Sequence, residues 1–256
     1  MIPVVPTELI HAIFSNLLDQ GDLSSLKACA LVRRSWLPIA QLLIFRSVKF
    51  EQSTWPKRDN AFASFIGAVE QNPHLIKHIR DLSYNFSSPD SEDFFERVTF
   101  SSVKSFSVKH VSLIELGNRV KTVWPVLKLP NLTRIALTEV VNFANLAQFS
   151  RFFGQEPGVN VNTVQLHRVW VQHESGISDR WKDLEDEDAP PLSIISSTPQ
   201  TRPKLQTLEI VRGSASLLAS WFIEEECPFD LTALKTLKYE EDVLEPDVTN
   251  LVKFVP

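Results

Sequence analysis

Leu132-Thr-Arg-Ile-Ala-Leu137 carries apolar residues at i, i+3 and i+5, and the same spacing stands 29 residues earlier in Val103-Lys-Ser-Phe-Ser-Val108 and 29 residues later in Val161-Asn-Thr-Val-Gln-Leu166. Positions i+3 and i+5 alternate as they would on a strand with one buried face. Working outward, the triplet recurs as Phe45/Val48/Phe50, Ile79/Leu82/Tyr84, Leu205/Leu208/Ile210 and Leu234/Leu237/Tyr239. Successive middle residues lie 34, 24, 29, 29, 44 and 29 positions apart, and a period in this range is the mark of a stack of repeated units. Between the triplets, Phe62/Phe65/Ile66/Val69, Leu113/Leu116/Val120, Phe143/Leu146/Phe149/Phe153 and Leu217/Leu218/Trp221/Phe222 are spaced for one buried helical stripe each. Strand, turn, helix and strand at this period predict an α/β chain in which right-handed crossovers stack a parallel sheet on the inside of a horseshoe, with helices outside.

The period, more than any motif, resembles that of leucine-rich repeats in a degenerate form, because the asparagine of the usual repeat is missing. On such strands the residues between the buried ones face the concave side. Among them Lys109, Arg134, Gln165, His167, Glu209 and Lys238 are the candidate contacts for a client protein. The full set of such positions is polar and mixed in sign and contains no nucleophile with a base beside it. It suits recognition of a surface, and it is equally what the solvated side of a sheet would carry. The longest step holds about fifteen extra residues within His173 to Pro191, where Asp183, Glu185, Asp186, Glu187 and Asp188 form an acidic insertion that reads either as a solvated surface loop or as a contact for a basic partner with Trp181 as its anchor. The end of the chain, Asp247 to Pro256, reads as the opening of a further repeat helix.

The N-terminal stretch has a different texture. After Pro6, the apolar residues Leu9, Ile10, Ile13, Phe14 and Leu17 follow a 3.6-residue period, which predicts a helix. Asp19-Gln-Gly-Asp22 breaks it and supplies an N-cap for a second helix with Leu23, Leu26, Ala30 and Leu31 on one face; Ser35 is placed to cap a short third one with Trp36, Ile39, Ala40 and Leu43. Three helices in some forty residues have too much surface for their volume to bury all of these groups among themselves. The surplus predicts a partner.

Pro6-x-Glu8-Leu9, Ile13-Phe14, Leu26, Cys29-Ala-Leu-Val32 and Ser35-Trp36 fall in the order and at the distances of the F-box, and residues 4–45 resemble that three-helix module, most of all in its fungal form. Val5 departs from the leucine that commonly precedes the proline. The resemblance implies an F-box-like unit over residues 1–45, followed by an irregular leucine-rich-repeat solenoid over 46–256. It implies docking on the Skp adaptor, and through it a cullin, by Pro6, Glu8, Leu9, Ile13, Leu17, Leu31, Val32 and Trp36. The function implied is that of the substrate-recognition subunit of a Skp-cullin-F-box ubiquitin ligase. The alternatives are an F-box scaffold that works with the adaptor outside a ligase, and an α/β enzyme.

The chain has 256 residues, 43% of them hydrophobic and 22% charged, and a net charge of −5, an ordinary balance for a globular protein. Residues 1–173 carry 18 basic and 14 acidic side chains and the remainder 8 and 17, a distribution without the concentrated basic surface that nucleic acid requires. No apolar run approaches the roughly 18 residues of a membrane span, and the start lacks the pattern of a signal peptide, so the expectation is a cytoplasmic or nuclear protein that binds no membrane. Cys29 and Cys227, in unrelated contexts, encode neither a disulfide framework nor a zinc site. His74-x-x-x-His78 has zinc-helix spacing but lacks the catalytic glutamate and follows Pro73, and no phosphate-cradling glycine loop or nucleophile elbow occurs. Glu224-Glu-Glu226 reads as the end of a helix, a solvated face or an acidic patch for a partner. Neither a cofactor nor catalysis is expected of this chain.

Overall fold

The alternation of apolar and polar residues at each triplet is what makes a strand able to bury one edge row and wet the other, and seven such strands form. The computed structural model describes residues 5–50, 61–84, 95, 98–109, 120–140, 143, 146–153, 158–171, 202–224 and 227–241. Its strands are β1 (Ser47–Lys49), β2 (Asp81–Tyr84), β3 (Ser105–Lys109), β4 (Arg134–Thr138), β5 (Thr163–Val169), β6 (Thr207–Gly213) and β7 (Thr236–Glu240), and they pair in sequence order, all parallel, into one mixed α/β architecture with a seven-stranded sheet. The register aligns Val48, Leu82, Phe106, Ile135, Val164, Leu208 and Leu237 in one row, the middle residue of every triplet. Leu82, Phe106, Ile135, Val164 and Leu208 are buried, whereas Val48 and Leu237, on the two edge strands, are half-buried for want of a neighbour on one side.

A turn stands just before five of the seven strands. Ile79, Val103, Leu132, Val161 and Leu234 donate their N–H groups to the carbonyls of Ile76, Phe100, Leu129, Gly158 and Leu231, three residues back. The carbonyls of Arg46, Arg80, Lys104, Thr133, Asn162 and Gln206 then each accept two consecutive N–H groups of the following unit, at 2.8 to 3.1 Å, so every strand start is tied to the preceding one by the same pair of bonds. Asn131 and Asn160 add side-chain donors to the carbonyls of Ser101 and Pro130, about one repeat back. Gly158 sits where a Cβ would come within 2.6 Å of the Leu129 carbonyl oxygen, a close backbone approach that excludes a side chain.

The buried face is covered by helices. Among the described residues these are α1 (Thr7–Asp19), α2 (Leu23–Val32), α3 (Leu37–Ile44), α4 (Ala61–Gln71), α5 (Val120–Leu127), α6 (Leu146–Phe153) and α7 (Ala215–Trp221), with a 3-10 turn at Pro73–His78. Val123, Val126, Phe149, Phe152, Phe153, Leu218 and Trp221 join the strand residues in one buried cluster. Its centre is aromatic: Trp221 lies edge-on to Phe149 at 4.8 Å and stacks on Phe153 at 5.7 Å, while its indole N–H donates to Ser150 Oγ. Aromatic pairs of this kind contribute about 0.5–1.5 kcal/mol each beyond the area they bury.

Residues of α1 to α3 form a second, separate cluster of Ile10, Phe14, Leu26, Ala40 and Leu43, with Trp36 packed edge-on against Phe14 at 5.9 Å. Asp22 caps α2 as expected, accepting from the Ser25 N–H at 3.0 Å. Ser35 does not cap α3: Trp36 occupies that position, Pro38 in the first turn makes a side-chain cap dispensable, and the helix begins at Leu37. Three other sequence expectations shift. Phe143 lies outside α6 and makes an isolated bridge to Val171 instead, α5 is centred on Val123 and Val126 with Pro125 inside it, and α7 ends at Trp221, leaving Glu224 beyond it. The acidic insertion with Trp181, Leu113 and Leu116, Glu225 and Glu226 and the segment after Glu241 lie outside the described residues.

Candidate functional site

Two surfaces of this architecture are not used by its own cores. The first is the polar face of the sheet. Parallel sheets are commonly covered on both faces and their strands read as continuous apolar runs, whereas here β2 and β3 alternate half-buried with buried positions throughout, and β5 and β6 do so over their first five residues. The register places Ala136, Gln165, Glu209 and Lys238 on one row, with Lys109, Thr138, His167, Val211 and Glu240 on the next. Arg134 Nε donates to Gln165 Oε1 at 2.9 Å, a second guanidinium nitrogen reaches the same oxygen, and His167 Nε2 lies 3.2 Å from Glu209 Oε2. Burial pushes the Glu209 carboxyl up, but the hydrogen bonds from Gln165 and His167, with the charges of His167 and Lys238, outweigh it and hold the group below its ordinary value. Of the six residues singled out on this face, the structure therefore joins Arg134, Gln165, His167 and Glu209 in a relay across β4, β5 and β6, with Lys238 beside it; Lys109 stands apart on β3, opposite Thr138.

At the C-terminal ends of β4 to β7 the same face deepens into a cleft of about 270 Å³ lined by Thr138, Glu139, His167, Arg168, Val211, Arg212 and Glu240. Three of these, Glu139, Arg168 and Arg212, have left-handed backbones with φ of 55°, 53° and 60°. The period of two explains what this accomplishes. Continuing the alternation of Ile135/Leu137, Val164/Leu166 and Leu208/Ile210, positions 139, 168 and 212 would point into the apolar core, where an unpaired charge is very unfavourable. The left-handed turn, which costs about 1–2 kcal/mol for a residue with a Cβ, leaves Arg168 and Arg212 exposed and Glu139 half-buried. Gly213 follows at φ 76°, with Val169 backbone atoms so close that a Cβ would overlap them. Arg168 pairs with Glu139 at 2.8 Å and Arg212 with Glu240 at 3.2 Å.

Sequence reasoning missed Glu139, Arg168 and Arg212 because the triplets end two residues before each of them, and the alternation, if continued, would point all three into the core. The signal was present: a charged residue at the same buried-parity position of three units, separated by the same 29 and 44 steps as the strands.

The second unused surface is on the N-terminal helices. One apolar stripe was expected on α1, and two faces exist: Ile10 and Phe14 are buried, while Leu9 and Ile13 on the other side are about half exposed. Leu31 and Val32, at the end of α2, are 86% and 69% exposed. Pro6 and Glu8 are exposed beside Leu9, whereas Leu17 and Trp36 are half-buried against the helices' own core. Of the eleven large apolar side chains exposed among the described residues, eight lie between Val5 and Leu42. Scattered single apolar groups are normal on a surface, but a concentration of this kind marks an interaction site.

The chain matches no known family model, no curated protein and no solved structure. Among the described residues, no group of three or more His, Cys, Asp and Glu is placed to hold a metal ion, and no helix is long and apolar enough to cross a membrane. His74 and His78 lie on the 3-10 turn, and burial together with Lys77, His74 and Arg80 holds the His78 imidazole below its ordinary value. Cys227 is buried, and burial pushes its thiol up to about 11, far from the reactive thiolate range.

Proposed function

We propose that this chain is an F-box-type substrate-recognition subunit of a Skp-cullin-F-box ubiquitin ligase, acting in the cytoplasm or nucleus. Residues 1–45 are the F-box-like module, and residues 46–256 are an irregular leucine-rich-repeat horseshoe. The observation that carries this reading is the apolar face of α1 and α2, with Leu9, Ile13, Leu31 and Val32 turned away from the helices' own core. It matches the residues that the F-box resemblance assigns to the Skp adaptor, and adaptor burial would remove that apolar area from water. Strands paired in sequence order, with one polar face, support the horseshoe reading, in which that face is the one offered to a client.

The mechanism is proximity. A client held on the polar face of the sheet, on a body joined through α3 and the Arg46 carbonyl to the adaptor-binding helices, is presented to the charged ubiquitin enzyme at raised effective concentration. This chain makes and breaks no bond itself.

Co-purification tests the reading. The Leu31→Asp/Val32→Asp double variant changes exposed positions, so the fold is expected to persist while Skp adaptor capture is lost; undiminished capture would refute the assignment. Adaptor without a cullin in the wild-type complex would move the function to a scaffold outside the ligase.

A further inference from the structure

The cleft at the ends of β4 to β7 has an ordered charge pattern that the relay on the face does not use. Across β4 to β6 the row reads Glu139, Arg168, Arg212, with Arg168 opposite Arg212 between the pairs His167/Val211 and Val169/Gly213, and Glu240 of β7 stands one residue back, opposite Val211. Neighbouring parallel strands lie about 4.8 Å apart, so the two arginines leave the backbone at adjacent positions. Each carboxylate sits on the outer flank, Glu139 against Arg168 Nη1 and Glu240 against Arg212 Nε. A guanidinium carries five N–H donors in a fixed fork, so one carboxylate contact leaves donors on each for a further acceptor. Both line the same cleft, together with His167 and the Thr138 hydroxyl. The backbone of three successive units departs from strand geometry to hold these side chains out of the core and at this rim, and such departures cluster where ligands are held.

We propose that this cleft is a carboxylate-binding site that anchors an acidic side chain, aspartate or glutamate, of a bound polypeptide. Two arguments select a carboxylate. The attraction comes from the guanidinium donors left over by Glu139 and Glu240, and because those two carboxylates repel a ligand in proportion to its charge, a singly charged carboxylate is opposed less than a dianionic phosphate. The volume fits one side chain, being at the lower edge of what small-molecule sites enclose. This deepens the client-binding half of the function proposed above and rests on it for the identity of the polypeptide, but the binding itself does not involve the adaptor.

The test uses the purified full chain without adaptor and follows the backbone amide signals of His167 and Val211, which line the cleft and are kept in every variant, by NMR while adding N-acetylated, C-amidated Gly-Glu-Gly, Gly-Gln-Gly or Gly-phosphoserine-Gly. The Glu peptide is expected to move both signals saturably, at a concentration about tenfold or more below that of the Gln peptide, since only the former makes charge-assisted bonds. Arg168→Gln/Arg212→Gln is expected to abolish the difference between the two peptides. Arg168→Lys/Arg212→Lys keeps the charge and loses the fork; with a wild-type circular dichroism spectrum it is expected to lose most of the preference, which separates recognition from folding. Equal response to the Glu and Gln peptides, or a preference that survives the glutamine double variant, would overturn the proposal. Tighter binding of the phosphoserine peptide than of the Glu peptide would also overturn it, by assigning the cleft to dianions. Because the adaptor is absent from the titration, a failure here is distinct from a failure of the F-box reading.

Discussion

Leu137→Asp places a carboxyl group in the middle of the sheet, on a side chain 1% exposed that lies in register between Val108 and Leu166. Removing the leucine side chain from such a site costs about 2–5 kcal/mol through lost burial and an imperfectly collapsed cavity. The carboxyl, even when protonated, has no partner there and adds about 1–3 kcal/mol. At pH 7 it must in addition either ionise in an apolar cluster or hold a proton that the unfolded chain, with a carboxyl pKa of about 3.9, has released; at 1.36 kcal/mol per unit the second costs about 4 kcal/mol and sets the ceiling. The sum, roughly 7–12 kcal/mol, is comparable to the whole stability of an ordinary domain, about 5–15 kcal/mol. Thr138→Asp changes the next residue, whose side chain is on the polar face with Lys109 opposite it, and is expected to cost about 1 kcal/mol or less. Thermal melts by circular dichroism at pH 7 should show no cooperative transition for the first variant and a midpoint within a few degrees of wild type for the second, at roughly 2–4 °C per kcal/mol. The sign of the pH dependence follows from the raised folded-state pKa of the introduced group: the defect is smallest below its unfolded value near 4 and grows as pH rises. Equal midpoints for the two variants would refute the register and the buried face together.

Gly213→Ala forces a Cβ to within 2.2 Å of the Val169 carbonyl oxygen at a left-handed φ and is expected to lower stability by about 2 kcal/mol or more, while Gly67→Ala, inside α4 with open space around it, is expected to raise it by about 0.5–1 kcal/mol; urea melts of the pair report both signs. Asp22 is held down to about 2 by its hydrogen bonds with Ser25 and Ser24, so the stability it contributes is fully present above its ordinary value of 3.8 and is lost as pH falls through about 2; the difference between wild type and Asp22→Ala in acid titrations should close over that window, and a difference independent of pH would refute the cap. An aromatic disulfide reagent at pH 8 should label Cys29 and leave Cys227 untouched until the protein is denatured, because the Cys227 thiol is buried and protonated; labelling of both thiols in the native protein would show that this part of the core opens freely.

The sheet was legible to the residue because its signal is doubly redundant. Each triplet states an alternation, and the repetition of Val103/Phe106/Val108 at Leu132/Ile135/Leu137 and Val161/Val164/Leu166 states which residues stand side by side. The tie between Arg134 and Gln165 and the pairing of His167 with Glu209 follow from register once side chains are long enough to reach a neighbour. Helix faces were less legible: Leu9, Ile10, Ile13 and Phe14 have the same apolar character, and only the packing of α1 against α2 and α3 decides that Ile10 and Phe14 go in while Leu9 and Ile13 stay out. The cleft was not legible by pattern alone, since a left-handed φ at Glu139, Arg168 and Arg212 is a backbone event that those residue types do not announce, and it inverts the parity on which the inward and outward assignments depended.

The double acceptor at the start of each strand separates the length of a unit from the geometry of the sheet. The bonds from Arg80 and Asp81 to Arg46, from Lys104 and Ser105 to Arg80, and so on to Lys235 and Thr236 on Gln206, are the same whether 24 or 44 residues intervene between middle residues. Insertions and deletions between the pins therefore do not propagate as misalignment into the neighbouring rows. A lineage carrying such a scaffold can lengthen one connection and substitute residues on the polar rows as independent variables, so the ligand it recognises can drift while the framework that presents it stays in step.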